Sequence, residues 1–276
     1  MAGTNKQVVY ITGGSSGIGL ALAKLLAKEG ADLVLLARSE SKLIAAKTEL
    51  TPMLSAGQKV AIQSVDVGDY PALSASLDQL CEIHGAPDLL ITSAGTGVAK
   101  EFLDTDRGEA DATMQINYAG TRDTIQCLLP KMMARGSGQI MLVASMAGLV
   151  GTYGYTAYCA SKHALMGFAS SLRAELATTN IQISMFCPPE VDTPLLALEK
   201  DTLPAPTRRM KNLLGQLQAD DVARYALAQL KKGKYLIIPG VRARLTYGIS
   251  RWAPGLLMAF ADWITRQVLG KSSAQS

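Results

Sequence analysis

Three residues in the middle of the chain are of types that together could deliver a proton to a substrate oxygen. Tyr158 and Lys162 stand four apart in Tyr158-Cys-Ala-Ser-Lys162, so in a helix they share one face, with the ammonium near the phenol oxygen. A free phenol titrates near ~10, and an adjacent cation is expected to stabilise the phenolate and draw that value toward the working pH. Ser145 closes the apolar run 141–145 and offers a hydroxyl to the same oxygen. The chemistry such a trio serves is reduction of a carbonyl by a hydride donor. Tyrosine and lysine at this spacing also occur on ordinary solvated helix faces, so the reading depends on what the rest of the chain supplies.

A place for the hydride donor comes at the start. The β-branched run 8–12 leads directly into Gly13-Gly-Ser15-Ser16-Gly17-Ile18-Gly19 and then into a helical pattern over 20–28. In the order strand, glycine turn, helix, the glycines permit a tight turn and close backbone approach. Free N–H groups at the helix start attract a pyrophosphate, and Ser15 and Ser16 add hydroxyl donors. A second apolar strand over 31–38 ends in Ala37-Arg38, where a dinucleotide fold selecting NAD usually carries a carboxylate. A guanidinium there, with Lys42 one turn on, pairs with a 2′-phosphate, so the expected cofactor is NADP(H). Asp66 ends a third strand and could accept from an adenine amine. Ser93-Ala94-Gly95 follows a fourth, its small side chains letting a cofactor pass close to the backbone.

These residues need a frame, and the pattern provides one. Strands over 59–67, 88–92, 139–145 and 181–187 alternate with helices over 70–84, 111–135 and 155–178. Strict alternation predicts an α/β fold, a Rossmann-type doubly wound parallel sheet flanked by helices on both faces. Asn117 falls inside the 111–135 helix, a polar residue expected to distort or hydrate its centre. Beyond strand six, the proline-rich 187–194 and the mixed segment to about 218 read as a loop closing over a ligand, and 235–239 as a final strand. Ligands in such sheets bind at the carboxyl ends of the strands, where the glycine turn, Asp66, 93–95, Ser145 and the Pro188 loop all fall. We expect residues 1–240 to form one cofactor-binding and catalytic domain. Residues 241–276 would be an apolar segment packed on that domain, on an oligomer partner or on a membrane surface.

Composition narrows the class. With 276 residues, 48% apolar and 18% charged, and a net charge of +4 without a basic block, the chain can bury a large core and shows no nucleic-acid signature. Cys81, Cys127, Cys159 and Cys187 are widely spaced and form no metal-ligand cluster with His84 or His163, so they read as reduced packing residues. The first seven residues are polar and run into an apolar strand, which points to a cytoplasmic protein. In the tail, a helix over 256–269 would be about 21 Å long, too short to span a bilayer. Its tryptophans and arginines suit the interface of a membrane, and the same surface would also serve as an oligomer interface or a lid over the crevice.

Taken in order, Thr12-Gly13-x-x-x-Gly17-x-Gly19, Asp66, Ser93-Ala-Gly95, Asn117, Ser145 and Tyr158-x-x-x-Lys162 resemble the short-chain dehydrogenase/reductase superfamily across residues 7 to 195. The resemblance implies that Tyr158 is the proton donor, that Ser145 positions the carbonyl, and that Lys162 holds the nicotinamide ribose while lowering the tyrosine pKa. Asn117 would keep a water in the proton relay, and the Val191 backbone with Thr193 would hold the carboxamide. Ile18, Val67, Ala94 and Gly95 would line the cofactor, and the chain would form dimers or tetramers. One departure is Thr92, where the family usually has asparagine ahead of the Ala-Gly pair. A narrower likeness rests on Gly13-Gly-Ser-Ser-Gly17, Ala37-Arg38-x-x-x-Lys42, Pro188-Pro189-Glu-Val-Asp-Thr193-Pro194 and the apolar tail. It is to the 3-ketodihydrosphingosine reductases, which implies NADPH-dependent reduction of a long-chain, lipid-like ketone in sphingolipid synthesis. The rival expectations are a 3-oxoacyl thioester, whose carrier would dock on Arg208, Arg209 and Lys211, a steroid ketone, and a non-catalytic NADP-binding regulator.

Overall fold

A computed structural model describes residues 6–199 and 202–272. The first five residues, which carry part of the localisation expectation, and the last four of the tail lie outside the described residues.

Seven parallel strands form the central sheet in the order β3-β2-β1-β4-β5-β6-β9. They are β1 Val8–Thr12, β2 Asp32–Ala37, β3 Val60–Ser64, β4 Leu89–Thr92, β5 Gly138–Val143, β6 Ile181–Phe186 and β9 Leu236–Ile237. Between them run the helices α1 Gly17–Lys28, α2 Glu40–Leu50, α3 Tyr70–His84, α4 Arg107–Met114, α5 Gly120–Arg135 and α6 Thr156–Glu175. The strands are apolar at nearly every position because both faces are covered, and their side chains divide by alternation. Val9, Ile11, Leu33, Leu35, Leu89 and Ile91 pack with α1 and α2, whereas Tyr10, Val34, Leu36, Leu90, Ile140 and Leu142 pack with α3, α5 and α6. The expected doubly wound sheet is therefore the observed one, and strand order reverses between β1 and β4, where such sheets open a crevice.

Three segments depart from expectation. The long helix around Asn117 begins earlier, at Arg107, and is interrupted over Gln115–Ala119 by one wide π-type turn that joins α4 to α5. A π-turn shifts the helix register by a residue, and here it surrounds the asparagine that was expected to disturb the helix.

The second departure is the segment after β6, which carries two short helices rather than being loop throughout. β7 Val191–Asp192 pairs in parallel with β8 Leu217–Gln218, pinning the two ends of an excursion that contains α7 Pro194–Glu199 and α8 Ala205–Leu214. α9 Ala219–Leu230, absent from the expectation, follows and packs Val222, Ala223, Ala226 and Leu227 onto the α1 face. Its two aspartates at positions 220 and 221 suit a helix start, and the apolar 3–4 spacing behind them supplies the buried face.

Third, the tail forms two helices, α10 Val241–Trp252 and α11 Pro254–Ser272, broken where Ala253 precedes a proline. None of the helices among the described residues is long and apolar enough to cross a membrane.

Candidate active site

At the carboxyl ends of the strands lies a cavity of about 720 Å³. Its wall includes the glycine turn, Arg38, Lys42, Asp66, Ser93 to Gly95, Ser145, Tyr158, Lys162, Pro188 and Thr193. Sequence reasoning thus placed five separate strand ends around one space, and the fold brings them together there.

The glycine turn has the geometry of a cradle. Gly13 has φ +69°, and a Cβ on it would stand 2.6 Å from the Ser93 carbonyl oxygen; one on Gly19 would stand 2.3 Å from the Gly13 oxygen. Any side chain would therefore wedge β1 away from β4 or α1 away from the turn. Ser16 precedes α1 in extended conformation and makes no side-chain cap, and no acidic residue occupies the first turn. The helix start keeps its uncapped donors and positive dipole end for an anion, which fits the diphosphate of a dinucleotide. Ser15, Ser16, Gly17 and Ile18 line the cavity beside this end.

At the far side of the turn, Arg38 is mostly exposed and lies 3.7 Å from Asp66 Oδ2, a loose pair that leaves its guanidinium donors available. Lys42 lines the same corner. Asp66 uses Oδ1 to accept from the Gly68 N–H at 2.9 Å, fixing its carboxylate at the rim next to Val67. Two cations at the end of β2 fit a phosphate-bearing ribose.

β5 delivers Ser145 and α6 delivers Tyr158 and Lys162. The Ser145 Oγ accepts from the Ala147 N–H at 3.1 Å, which leaves its own proton for the Tyr158 oxygen or for a substrate oxygen beside it. Lys162 is buried, its Nζ donating to the Val143 carbonyl at 3.1 Å and standing 5.7 Å from the centre of the Tyr158 ring. The expected acidification of the phenol is not what this arrangement gives. Burial pushes the Tyr158 phenol up from its ordinary value, a hydrogen bond with Ser145 works against this, and the negative charge of Glu199 adds to the rise. Burial also pulls the Lys162 ammonium down, to about 8. For both groups loss of solvent is the largest influence, and it works against the charged form of each.

Asn117 is fully buried and does not line the cavity. Its Nδ2 donates to the Thr96 carbonyl and to Ser161 Oγ, each at 2.9 Å, and its Oδ1 accepts from the Thr96 N–H at 2.8 Å. Both side-chain donors are thus spent, and Ser161 in turn donates to the Tyr158 carbonyl at 2.8 Å. The asparagine bolts the loop after β4 to the turn of α6 that carries Tyr158. Thr92, the departure noted above, is buried with its Oγ1 lacking a hydrogen-bond partner among the described residues.

Three residues not assigned to the site from sequence, and Lys211, expected only as a docking charge, complete the wall. Tyr155, Glu190, Glu199 and Lys211 line the cavity next to Tyr158. Tyr155 donates to Glu199 Oε2 at 2.5 Å, and Lys211 donates to the Tyr155 oxygen at 2.9 Å while pairing with Glu190 at 3.0 Å. Glu190 lies within the proline-rich motif and could have been suspected from it. Glu199 could not, because its importance comes from a contact 44 residues back in the chain, with Tyr155 at the start of α6. Val191 and Thr193 stand at the cavity edge, with Thr193 packed against Gly17.

Comparison with known proteins agrees with this geometry. The short chain dehydrogenase family profile matches residues 7–203. The chain is 36% identical over 233 residues to a 3-dehydrosphinganine reductase of Danio rerio, covering 84% of this chain and 70% of that protein. It is 39% identical over 232 residues to a 3-dehydrosphinganine reductase of Arabidopsis thaliana, covering 83% and 68%. Among solved structures, actinorhodin polyketide ketoreductase with NADPH superposes with a TM-score of 0.76 at 26% identity, covering 86% of this chain and 97% of that one.

Proposed function

Because the chain belongs to the short-chain dehydrogenase family, we propose that this oxidoreductase uses NADPH to reduce the ketone of 3-dehydrosphinganine, a long-chain 2-amino-3-ketone, to the alcohol. The observation that carries the proposal is the meeting of Ser145, Tyr158 and Lys162 with the glycine turn and the Arg38–Lys42 corner in one cavity. NADPH, when bound, supplies the hydride. The uncapped start of α1 with Ser15 and Ser16 holds its diphosphate, Arg38 and Lys42 its 2′-phosphate, and Asp66 and Val67 its adenine. Ala94 and Gly95 let it pass, while Val191 and Thr193 hold the carboxamide.

The chain's own residues handle the proton. Ser145 donates its hydroxyl hydrogen to the carbonyl oxygen and fixes its direction. Tyr158 gives up its phenolic proton as negative charge develops there, when the balance that keeps the phenol protonated in the buried site shifts toward transfer. Lys162 spends one proton on Val143 and keeps the others for the ribose and for stabilising the phenolate left behind. Asn117 acts by holding the helix turn beneath Tyr158.

Delivery of a lipid is the second part of the proposal. Trp252, Leu256, Met258 and Trp263 are each more than half exposed on α10 and α11, amid Arg251 and Arg266, and the start of α10 at Val241 to Ala243 forms part of the cavity mouth. This surface rests against a bilayer interface and passes the chain of the substrate inward. Co-sedimentation with anionic liposomes should fall sharply in the Trp252→Glu, Trp263→Glu double variant, and undiminished binding would refute this part.

An acyl-carrier partner is less well supported, since Lys211 is committed to Glu190 and Tyr155 and does not offer a docking charge. The deciding assay is NADPH oxidation against long-chain amino ketones, 3-oxoacyl thioesters and steroid ketones. The proposal expects the amino ketone to give the highest kcat/KM, and a clear preference for either alternative would overturn it.

A further inference from the structure

Besides Lys162, the cavity wall next to the phenol that must release a proton carries two carboxylates, Glu190 and Glu199, and a single further ammonium, Lys211. Glu199 ends α7 and is 7% exposed. Its Oε2 accepts from Tyr155 and lies 3.9 Å from Lys211 Nζ, which is closer to Glu190 Oε2 at 3.0 Å. Two carboxylates therefore share one ammonium. Glu199 Oε1 receives no hydrogen bond from the described residues and lies over Gly97. A Cβ built on that glycine would meet Oε1 at 2.4 Å and the Tyr158 Cδ2 at 3.3 Å, so the free carboxylate oxygen and the tyrosine ring edge crowd the same backbone position.

For a neutral ketone this arrangement works against the reaction. Hydride addition puts negative charge on the carbonyl oxygen beside Tyr158, and a nearby carboxylate in a dry site repels that charge and makes the phenol a weaker acid. The difficulty is removed if the substrate brings a positive charge of its own. An ammonium on the carbon next to the carbonyl would pair with the carboxylate that Lys211 serves least closely and would lie within reach of the wall whenever the carbonyl is on Ser145 and Tyr158. It would also draw electrons from the carbonyl and favour hydride addition.

We propose that Glu199, supported by Tyr155 and Glu190, is the residue that recognises the 2-ammonium group of the substrate and selects long-chain 2-amino-3-ketones over ketones without the amine. This rests on the reductase reading above. Gly97 belongs to the same device, since a side chain there would displace the carboxylate. Lys211 is a positioning residue, holding Tyr155 and Glu190 without neutralising both acids.

The test compares three ketones of equal chain length in the NADPH oxidation assay: the 2-amino-3-ketone, its N-acetyl derivative and the 3-ketone lacking nitrogen. Wild-type enzyme is expected to lose roughly tenfold or more in kcat/KM when the charge is removed by acetylation or deletion, the worth of one charge-assisted hydrogen bond in a buried site. In Glu199→Gln the ratio of kcat/KM for the amino ketone to that for the nitrogen-free ketone is expected to fall by a similar factor, mostly through KM. NADPH binding, followed by its fluorescence, should stay within twofold of wild type and shows that the variant is folded.

Should Glu199→Gln fail to fold, the wild-type comparison alone still decides. Equal use of charged and uncharged ketones by the wild-type enzyme, or a ratio unmoved by the substitution, would overturn the inference and leave the reductase reading intact. If the wild-type enzyme reduces none of the three while reducing a steroid or acyl-thioester ketone, the reading on which the inference rests fails as well.

Discussion

Replacing Lys162 with methionine removes a buried cation while keeping most of the side chain's volume. Lys162 is 4% exposed, and burial draws its ammonium from 10.5 to about 8. The folded-state value lies below the unfolded one, so the effect is opposite to that of a lysine gaining a partner. The charge destabilises the fold fully at pH values below about 8, and the cost is relieved between there and the unfolded value, because in that window the unfolded chain binds more protons. At about 1.36 kcal/mol per pH unit, the penalty is on the order of 3 kcal/mol at pH 7, of which roughly 1 kcal/mol remains at pH 10.

Wild type should therefore gain about 2 kcal/mol relative to Lys162→Met between pH 7 and pH 10. Urea denaturation of both proteins at the two pH values measures this, and the other titrating groups, being common to both, cancel in the difference. Loss of the hydrogen bond to Val143 lowers the variant's stability at every pH and leaves the slope alone. A stability gap that does not change with pH would refute the claim that Lys162 is held desolvated in its charged form. The same titration should appear in catalysis, with wild-type turnover falling as pH rises through about 8.

Three further outcomes follow from the site. Gly13→Ala places a methyl 2.6 Å from the Ser93 oxygen at a φ of +69°; NADPH affinity by fluorescence titration should drop by roughly tenfold or more, since the turn can no longer hold its shape. Asn117→Ala strands the Thr96 N–H and loosens Ser161, which should cost about 2–4 kcal/mol in urea denaturation, and a change within 0.5 kcal/mol, the ordinary surface range of about that size, would contradict its bolt-like role. Arg38→Asp should move the ratio of kcat/KM values toward NADH, and an unaltered ratio would mean that the 2′-phosphate is read by other residues.

How much of this could be read before folding depended on whether the signal was local. The strand, glycine turn and helix at 8–28 are contiguous, so their sequence states their geometry, and the alternation of apolar runs with helical patterns fixes a doubly wound sheet. Ser145, Tyr158 and Lys162 were legible because one strand end and one helix turn carry them. The excursion between β7 and β8 was not, since its helices of 6 and 10 residues are too short to show a long apolar periodicity. Glu199 and Tyr155 escaped because they are 44 residues apart and meet only in the folded chain. The sequence also suggested a phenol acidified by its lysine, because spacing shows proximity but not burial. With Lys162 buried and Tyr158 partly so, desolvation decides the direction.

The central claim is that Tyr158 supplies the proton in a reduction driven by NADPH. It is tested most directly by single-turnover oxidation of NADPH with the long-chain 2-amino-3-ketone in wild type and Tyr158→Phe, alongside NADPH titration of both. The account predicts that the variant binds NADPH within a fewfold of wild type and loses turnover by about two to four orders of magnitude, the usual worth of a positioned general acid. Turnover by Tyr158→Phe close to that of the wild type would contradict it.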